Sequence, residues 1–161
     1  QTMQFHARPF NITESVEYIA GTLAVNASAK GHTLVFEGTH APLTVRGDKI
    51  RIEQIIINIV SNAIKYTPDG GDIRLRLADR GNTVEIAVSD NGVGIPEEDI
   101  PHLFERFYRV EKARSSDKGG TGLGLAIARE FAEAHGGTIS VESRVSEGTT
   151  FTVTLPKEGK L

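Results

Sequence analysis

The sequence predicts an α+β fold, a two-layer α/β sandwich in which helices cover one face of a largely antiparallel sheet. Three observations predict it. Apolar residues recur at helical spacing in separate stretches, strand-like alternation occurs in neighbouring segments that tight turns connect, and no internal repeat or long linker divides the 161 residues. Strands joined by tight turns pair in antiparallel fashion, so the helices must bury their apolar faces against one side of the sheet.

The first helix is expected to begin after Asn11, because Asn11 or Thr13 can cap its free amide groups. Gly31 ends this helix. Short strands are expected at residues 33–37 and 43–46, with a glycine and a proline between them. The apolar residues that share one face of the helix are Val16, Ile19, Ala20, Leu23, Ala24 and Ala27.

A second helix is expected from Asp48, a good N-cap residue, to about Tyr66. Residues 67–71 read Thr-Pro-Asp-Gly-Gly, and this proline-glycine composition ends a helix. Beyond it, residues 73–77 and 84–88 alternate apolar and polar side chains on either side of an Arg-Gly-Asn turn, which predicts a hairpin. The broad apolar arc of the helix consists of Ile52, Ile55, Ile56, Ile59, Ala63 and Ile64.

The second half of the chain starts with a short predicted helix at Pro96, where two glutamates follow the proline. Residues 109–121 contain charged residues, serine and glycine with little to bury, which predicts a mobile surface loop. A last helix is expected at 122–135, followed by strands at 138–143 and 149–155. The apolar stripe of the short helix consists of Ile100, Leu103, Phe104 and Phe107.

The composition excludes several classes of protein. With no cysteine, the chain can form neither a disulfide nor a thiolate metal site, and it has no catalytic thiol. The 18 Lys and Arg residues stand against 21 Asp and Glu residues, a net charge of -3, which argues against a nucleic-acid backbone as the main partner. The longest apolar stretch, residues 55–60, is far shorter than the roughly 18 residues of a membrane span. We therefore expect a soluble, intracellular piece of chain without a signal peptide.

Three segments carry candidate chemistry. On the second helix, Asn58, Asn62, Lys65 and Tyr66 share a polar shoulder beside the apolar arc, which indicates either a solvated flank or a site for a hard cation and phosphate oxygens. Asp90 ends a predicted strand and precedes Asn-Gly-Val-Gly, which forms either an ordinary turn or a pocket whose carboxylate accepts from an exocyclic amine.

The third segment is glycine-rich and opens the last helix. Residues 119–125 read Gly-Gly-Thr-Gly-Leu-Gly-Leu, and free amide groups at a glycine-rich helix start can approach a phosphate. The segment is not a P-loop, because it lacks the closing Gly-Lys-Ser/Thr. It is not a dinucleotide fingerprint either, because it does not follow a strand in a parallel crossover.

Five motifs follow one another in the chain. They are Asn58-Ile-Val-Ser-Asn62-Ala-Ile-Lys65-Tyr66, Asp90-Asn-Gly-Val-Gly94, Leu103-Phe104-Glu-Arg-Phe107-Tyr-Arg109, Gly120-Thr-Gly122-Leu-Gly124-Leu and Gly148-Thr149-Thr-Phe151. In this order they resemble the N, G1, F, G2 and G3 boxes of bacterial sensor histidine kinases, over residues 48–155. The resemblance implies the Bergerat-type ATP-binding fold of the GHKL superfamily, with a mixed, mostly antiparallel sheet of about five strands on three helices.

The resemblance also implies a site for ATP and Mg²⁺, in which Asn62 ligates the metal, Asp90 reads the adenine amine and the loop 109–121 closes as a lid. Arg109, Arg114, Lys65 and Asn58 would serve catalysis, the arginines by neutralising charge on the γ-phosphoryl group. The residues implied to bind the nucleotide are Asn58, Asn62, Lys65, Tyr66, Asp90, Gly92, Gly94, Ile95, Phe107, Gly120, Thr121, Gly122, Leu123, Gly124, Leu125 and Thr149.

The residue at position 58 bears on the reaction. Related ATPases of the gyrase, chaperone and mismatch-repair type place a glutamate four residues before the metal-binding asparagine, where it activates water. Here that position holds Asn58, and an amide is not a useful base. The site is therefore expected to hold ATP for an incoming nucleophile, such as a neutral imidazole, rather than to hydrolyse it. An ATP hydrolase or serine kinase on the same fold, and a docking module without activity, are the alternatives.

The phosphoacceptor of the resembled family is absent from this chain. None of the five histidines lies in a sequence similar to His-Glu/Asp-x-Arg-Thr/Asn-Pro, and His6 is interpreted as linker. We expect residues 1–13 to be a linker from a missing dimerisation domain, 14–156 the catalytic domain and 157–161 a frayed tail. The implied partners are that histidine-bearing domain and a response regulator. The fragment is expected to be a monomer, and its parent a membrane-attached homodimer.

Overall fold

The computed structural model of the chain describes residues 4–108 and 124–159. Within them a five-stranded sheet of order β2-β4-β5-β7-β6 carries the helices, and a separate two-stranded sheet pairs β1 with β3. The elements are β1 Arg8–Asn11, α1 Ile12–Ala29, β2 Thr33–Gly38, β3 Thr44–Gly47, α2 Lys49–Tyr66, β4 Asp72–Asp79, β5 Thr83–Asp90, a 3-10 helix Ile100–His102, α3 Gly124–Ala134, β6 Thr138–Arg144 and β7 Gly148–Pro156. The predicted α+β sandwich is confirmed.

The core lies between the helices and one face of the five-stranded sheet. Alternate residues of β4, β5 and β7 are buried, as their sequence alternation predicted, because successive side chains of a strand point to opposite faces. The fully buried isoleucines of α2 pack onto that face. Among the described residues, no helix has the length and apolarity needed to cross a membrane.

Strand pairing is mixed. The hairpin of β4 and β5 is antiparallel, and so are the pairs β5–β7 and β6–β7. Strand β2, in contrast, runs parallel to β4, with Leu34 opposite Ile73. Strands β2 and β3 follow each other in sequence but do not pair. Strand β3 pairs with β1 in the separate sheet, and α2 connects β3 to β4.

The predicted helix starts are confirmed at α1 and α2. The Asn11 side chain accepts a hydrogen bond from the N–H of Thr13 at 3.0 Å, and Asp48 accepts from the N–H of Arg51 at 3.2 Å. Gly31 follows α1 with φ of 74°, a left-handed conformation that suits glycine at a helix end. Local capping chemistry therefore determines where these helices begin and end.

Both ends of the chain are more ordered than the sequence predicted. Residues 8–11, expected to be linker, form β1 against β3. At the other end, the tail is not frayed through residue 159: the N–H of Lys157 donates to Asn82, and its Nζ lies 2.8 Å from an Asp79 oxygen. Short segments of this kind lack a periodic pattern, so only their long-range partners reveal that they are structured.

The predicted short helix at 96–107 is reduced to the single 3-10 turn Ile100–His102. An α-helix that began at Pro96 could not continue through Pro101, because this proline has no N–H to donate to the carbonyl of residue 97. In the observed turn Pro101 lies in the first positions, where proline is tolerated. Leu103 is buried as predicted, and Phe104 packs edge-on against Phe151. Phe107, by contrast, is 69% exposed with φ of 66°, so it does not belong to an apolar stripe.

A buried polar link joins the start of α2 to the end of α3. The Nε2 atom of His135, which is 1% exposed, accepts from the N–H of Asp48 at 3.0 Å, and its Nδ1 donates to the Phe131 carbonyl at 2.7 Å. The Asp48 carboxylate in turn accepts from the N–H of His6 at 3.0 Å. Burial alone would raise the pKa of Asp48, but hydrogen bonds from His6 and Arg51 and nearby positive charge outweigh it and lower the pKa.

Replacing Asp48 by Ala is expected to lower the free energy of unfolding at pH 7 by about 1–2 kcal/mol, because the cap of α2 and the link to His6 are lost. Since folding lowers the Asp48 pKa, its contribution is present above the ordinary value of 3.8 and disappears as the pH falls through the folded-state pKa. Urea unfolding of both proteins across this range measures the effect. A difference that is constant with pH would contradict it.

Candidate functional site

The carboxylate of Asp90 lies at the end of β5, where the strand gives way to the glycine-containing loop. Its Oδ1 accepts from the N–H of Gly92 at 2.9 Å, and β7 places Thr149 directly opposite. Burial raises the pKa of the Asp90 carboxyl above its ordinary value, although the N–H groups of Gly92 and Thr149 oppose that shift. A half-buried carboxylate with two amide donors behind it can accept a further hydrogen bond from a ligand.

The loop after Asp90 is held tightly against the β6–β7 turn. Gly94 has φ of 76°, and a Cβ atom there would lie 2.1 Å from the carbonyl oxygen of Arg144. The N–H of Ile95 donates to the Ser143 hydroxyl at 2.8 Å, and the N–H of Ser146 donates to the Val93 carbonyl at 2.8 Å. Glycine at 94 is therefore required by both its backbone conformation and this close approach.

Gly92 is also closely surrounded, by the Asp90 side chain and by the end of α2. A Cβ atom at this position would lie 3.0 Å from Asp90 Oδ1 and 3.0 Å from the carbonyl oxygen of Tyr66. The loop thus fits between the end of α2 and the Asp90 side chain. The predicted G1-box residues and the last residue of the N box are brought together.

Asn58 joins α2 to the start of α3. Its Nδ2 donates to the Gly124 carbonyl at 2.9 Å, and its Oδ1 accepts from Gln54 at 2.6 Å. The structure therefore brings Asn58 of the polar shoulder next to the start of α3. Leu125, the other described residue of that motif, is half-buried against the core.

The remaining shoulder residues differ in their surroundings. Asn62 and Tyr66 are half-buried and Lys65 is exposed. Among the described residues no hydrogen bond engages the Asn62 side chain, so its amide oxygen is available to a hard cation, which fits the expected role. Phe107 points to solvent and is not brought into this site. Six predicted site residues lie outside the described ranges: Arg109, Arg114, Gly120, Thr121, Gly122 and Leu123.

A cavity of about 990 Å³ opens between the loop after Asp90 and the β6–β7 turn. Its lining includes the half-buried Asp90 carboxylate, the hydroxyl groups of Ser143 and Thr149 and the apolar side chain of Ile95. Charged residues at its edge are Glu97, Glu142, Arg144 and Glu147. Asp90 and Thr149 are thus polar groups that can orient a ligand against the apolar side chain of Ile95. In the described part of the chain, no cluster of three or more His, Asp or Glu residues could hold a metal ion.

Sequence reasoning missed Ser143. Its hydroxyl contacts Ile95, Gly148 and Thr149. It thereby connects the loop that follows Asp90 with the start of β7. One signal was available, because the alternation of β6 places Ser143 on the same side as Ile139 and Val141, where an apolar residue is expected. Asn91 was also overlooked as a support, and its Oδ1 accepts from the N–H of Asp72 at 2.8 Å.

Comparisons with known proteins identify the family and agree with the fold. The family model described as histidine kinase-, DNA gyrase B-, and HSP90-like ATPase matches residues 47–159. Sensor histidine kinase WalK of Bacillus subtilis is 48% identical over 116 residues, which are 71% of this chain. The solved nucleotide-free catalytic domain of histidine kinase ThkA has a TM-score of 0.83 at 30% identity, with 97% of each chain covered.

Two further structures contain a ligand or a partner. Full-length ShkA in complex with AMPPNP has a TM-score of 0.82 at 28% identity and covers 97% of this chain and 32% of its own. ThkA in complex with response regulator TrrA has a TM-score of 0.79 at 29% identity and covers 95% of this chain and 42% of its own. The chain spans 19% of the length of WalK.

Proposed function

Because the chain belongs to the histidine kinase-, DNA gyrase B-, and HSP90-like ATPase family, we propose that it binds Mg-ATP and presents the γ-phosphoryl group to a histidine on a separate dimerisation domain. The observation that carries the proposal is Asp90, a half-buried carboxylate at a strand end, held by the N–H of Gly92 and facing a cavity of about 990 Å³. The similar proteins are named sensor histidine kinase WalK and histidine kinase ThkA, which supports this proposal.

Adenine recognition is assigned to Asp90. An ionised carboxylate only accepts hydrogen bonds, so it pairs with the exocyclic amine of adenine and repels the carbonyl that guanine has there. Ile95 and Thr149 line the same cavity and bound the base. ShkA, which has the same fold, was solved with the ATP analogue AMPPNP.

The phosphate end of the site is assigned to α2 and to the segment before α3. Asn62 supplies an amide oxygen to Mg²⁺, and Lys65 supplies positive charge. The Mg²⁺ that Asn62 would hold would supply positive charge to the phosphate oxygens. The glycines at 120, 122 and 124, with Thr121 and Leu123, provide backbone N–H groups for the phosphates at the helix start. Arg109 and Arg114 neutralise charge on the γ-phosphoryl group.

Transfer is favoured over hydrolysis by the chemistry at position 58. Asn58 has no proton affinity useful for activating water, and both ends of its amide are engaged, with Gln54 and the Gly124 carbonyl. Catalysis then depends on positioning and charge neutralisation, while the nucleophile is the incoming imidazole. The γ-phosphorus–oxygen bond to ADP breaks as the nitrogen–phosphorus bond forms, and ADP leaves with the released electron pair.

The proposal extends to the parent protein. Residues 14–156 are assigned to the catalytic domain and residues 1–13 to the connection from the dimerisation domain, with β1 of that connection attached to β3. A response regulator is the proposed downstream partner, as in the ThkA complex with TrrA. The parent is proposed to be a membrane-attached homodimer, and the fragment alone a monomer in the cytoplasm.

The experiment that tests the function mixes the fragment with a separately produced histidine-bearing dimerisation domain of a sensor kinase and with ATP labelled at the γ-phosphate. We expect Mg²⁺-dependent label on the dimerisation domain, stable in base and labile in acid, and little free phosphate when that domain is omitted. A dimerisation domain whose histidine is replaced by glutamine is the control. Rapid phosphate release without an acceptor, at a rate comparable to the transfer, would instead favour the hydrolase.

A further inference from the structure

Ser143 occupies an unusual position on β6. It lies opposite Thr149 of β7, and its hydroxyl lies 2.8 Å from the Ile95 nitrogen, 3.0 Å from the Gly148 carbonyl oxygen and 2.8 Å from the Thr149 hydroxyl. A single side chain therefore contacts the loop that follows Asp90 and the strand that faces Asp90. Both segments line the candidate base pocket.

The directions of these three hydrogen bonds follow from the donors and acceptors available. A serine hydroxyl has one hydrogen and two lone pairs. The Ile95 N–H can only donate and the Gly148 carbonyl can only accept, so the Ser143 hydrogen points to Gly148 and one lone pair receives Ile95. The second lone pair is then left for Thr149, whose hydroxyl must be the donor in that contact.

This arrangement has a consequence for the cavity. Because the Thr149 hydrogen is directed at Ser143, its oxygen has only lone pairs left for a ligand. Asp90, opposite Thr149 in the sheet, also presents only acceptors when it is ionised. Asp90 and Thr149 thus both favour a ligand edge that donates, such as an amine, and disfavour a carbonyl.

We propose that Ser143 is a positioning residue that determines base specificity: its hydroxyl fixes the loop at Ile95 and holds the Thr149 hydroxyl in the accepting state. The inference rests on the proposed nucleotide site and adds a residue to it that does not itself contact the base. Removing the Ser143 hydroxyl frees the Thr149 hydrogen to turn toward the cavity, where it can donate to a carbonyl. Discrimination between adenine and guanine nucleotides then falls.

The test compares the wild type with Ser143→Ala by titration calorimetry, using AMPPNP and GMPPNP with Mg²⁺. We expect about a tenfold loss of affinity for AMPPNP and an unchanged or higher affinity for GMPPNP, so the ratio of the two falls by about tenfold or more. Amide hydrogen exchange at Ile95 is expected to accelerate in the variant. If Ser143→Ala only destabilised the fold, the affinities for both nucleotides would fall by the same factor and their ratio would not change.

Two control variants make the result specific. Ser140→Ala removes an exposed hydroxyl from the same strand and is expected to leave the ratio at the wild-type value. Ser143→Thr keeps the hydroxyl and is expected to retain most of the discrimination. Should Ser143→Ala fail to fold, Thr149→Val removes the same contact from the other side and is expected to lower the ratio as well.

The possible outcomes separate the inference from the proposed function. If the wild type binds AMPPNP and Ser143→Ala has the same ratio of AMPPNP to GMPPNP affinity, the proposed role of Ser143 is wrong. The nucleotide site is then still supported. A well-folded wild type that does not bind AMPPNP contradicts the nucleotide site itself, and the specificity role with it. A ratio that falls in Ser143→Ala but not in Ser140→Ala supports both.

Discussion

Replacing Asp90 by Asn is expected to weaken binding of AMPPNP by at least about 100-fold while the fold is retained. The reason is chemical rather than steric, since the two side chains have the same shape. Asp90 is half-buried and already accepts from the N–H of Gly92, so its remaining lone pairs are positioned for a ligand amine. An asparagine that keeps the Gly92 contact through its oxygen turns an NH₂ group toward that amine, and two donors repel each other.

The same substitution is expected to increase the free energy of unfolding relative to the wild type as the pH rises from acid to neutral. Folding raises the Asp90 pKa, chiefly through burial, so the folded state binds a proton more tightly than the unfolded state does. Wild-type stability therefore decreases as the pH rises from the ordinary value of 3.8 through the folded-state pKa. Asparagine does not ionise, so the variant does not lose stability in this way. Its free energy of unfolding relative to the wild type therefore increases over the same pH range.

Two measurements check these results. Titration calorimetry of both proteins with AMPPNP and Mg²⁺ gives the affinities, and urea unfolding from acid to neutral pH gives the difference in stability. Asp79→Asn is the matched control for affinity, because Asp79 is exposed at the far end of the β4–β5 hairpin, where Lys157 and the N–H of Gly81 lower its pKa. Normal nucleotide binding by Asp90→Asn would remove Asp90 from the site.

Replacing Gly94 by Ala is expected to lower the free energy of unfolding by about 2–4 kcal/mol and to abolish nucleotide binding. The left-handed conformation alone costs a residue with a side chain about 1 kcal/mol. The added Cβ would also lie 2.1 Å from the Arg144 carbonyl oxygen, so the loop must separate from the β6–β7 turn. That overlap adds about 1–3 kcal/mol and displaces Ile95 from its hydrogen bond to Ser143.

Gly81→Ala separates the two causes. Gly81 has φ of 87°, close to the 76° of Gly94, but a Cβ atom there would meet nothing within 4 Å. It is expected to lose only about 1 kcal/mol and to bind AMPPNP as the wild type does. Urea unfolding and calorimetry of the two variants measure the comparison. Equal losses of stability would mean that the Arg144 contact contributes nothing.

Much of the fold could be predicted from local pattern. The apolar arc of α2 and its Asp48 cap led to a helix whose bounds, Lys49–Tyr66, match the prediction closely, because both signals lie within the helix itself. The β4–β5 hairpin and the β6–β7 pair were predicted for the same reason. Where a pattern was weak, at 96–107, the structure holds only one 3-10 turn.

The residues of the candidate site were predicted from five motifs and from the order in which these occur in the chain. Asp90 and Thr149 line one cavity, Gly92 donates its N–H to Asp90, and Asn58 lies beside Gly124. Phe107 was included on the strength of its motif alone, and it points to solvent. A motif specifies residue types and spacing, whereas the direction of each side chain depends on backbone angles such as the φ of 66° at Phe107.

Periodicity was thus enough to predict the helices and the buried faces of the strands, since these depend on residues near one another in sequence. The order of the motifs was enough to predict the family. The parallel pairing of β2 with β4, the strand β1 and the contact of Ser143 with Thr149 and Ile95 became evident only when distant segments were packed together. Register between strands depends on how the whole sheet packs against the helices. That packing also buries Asp90, and its burial is what raises the pKa of the carboxyl.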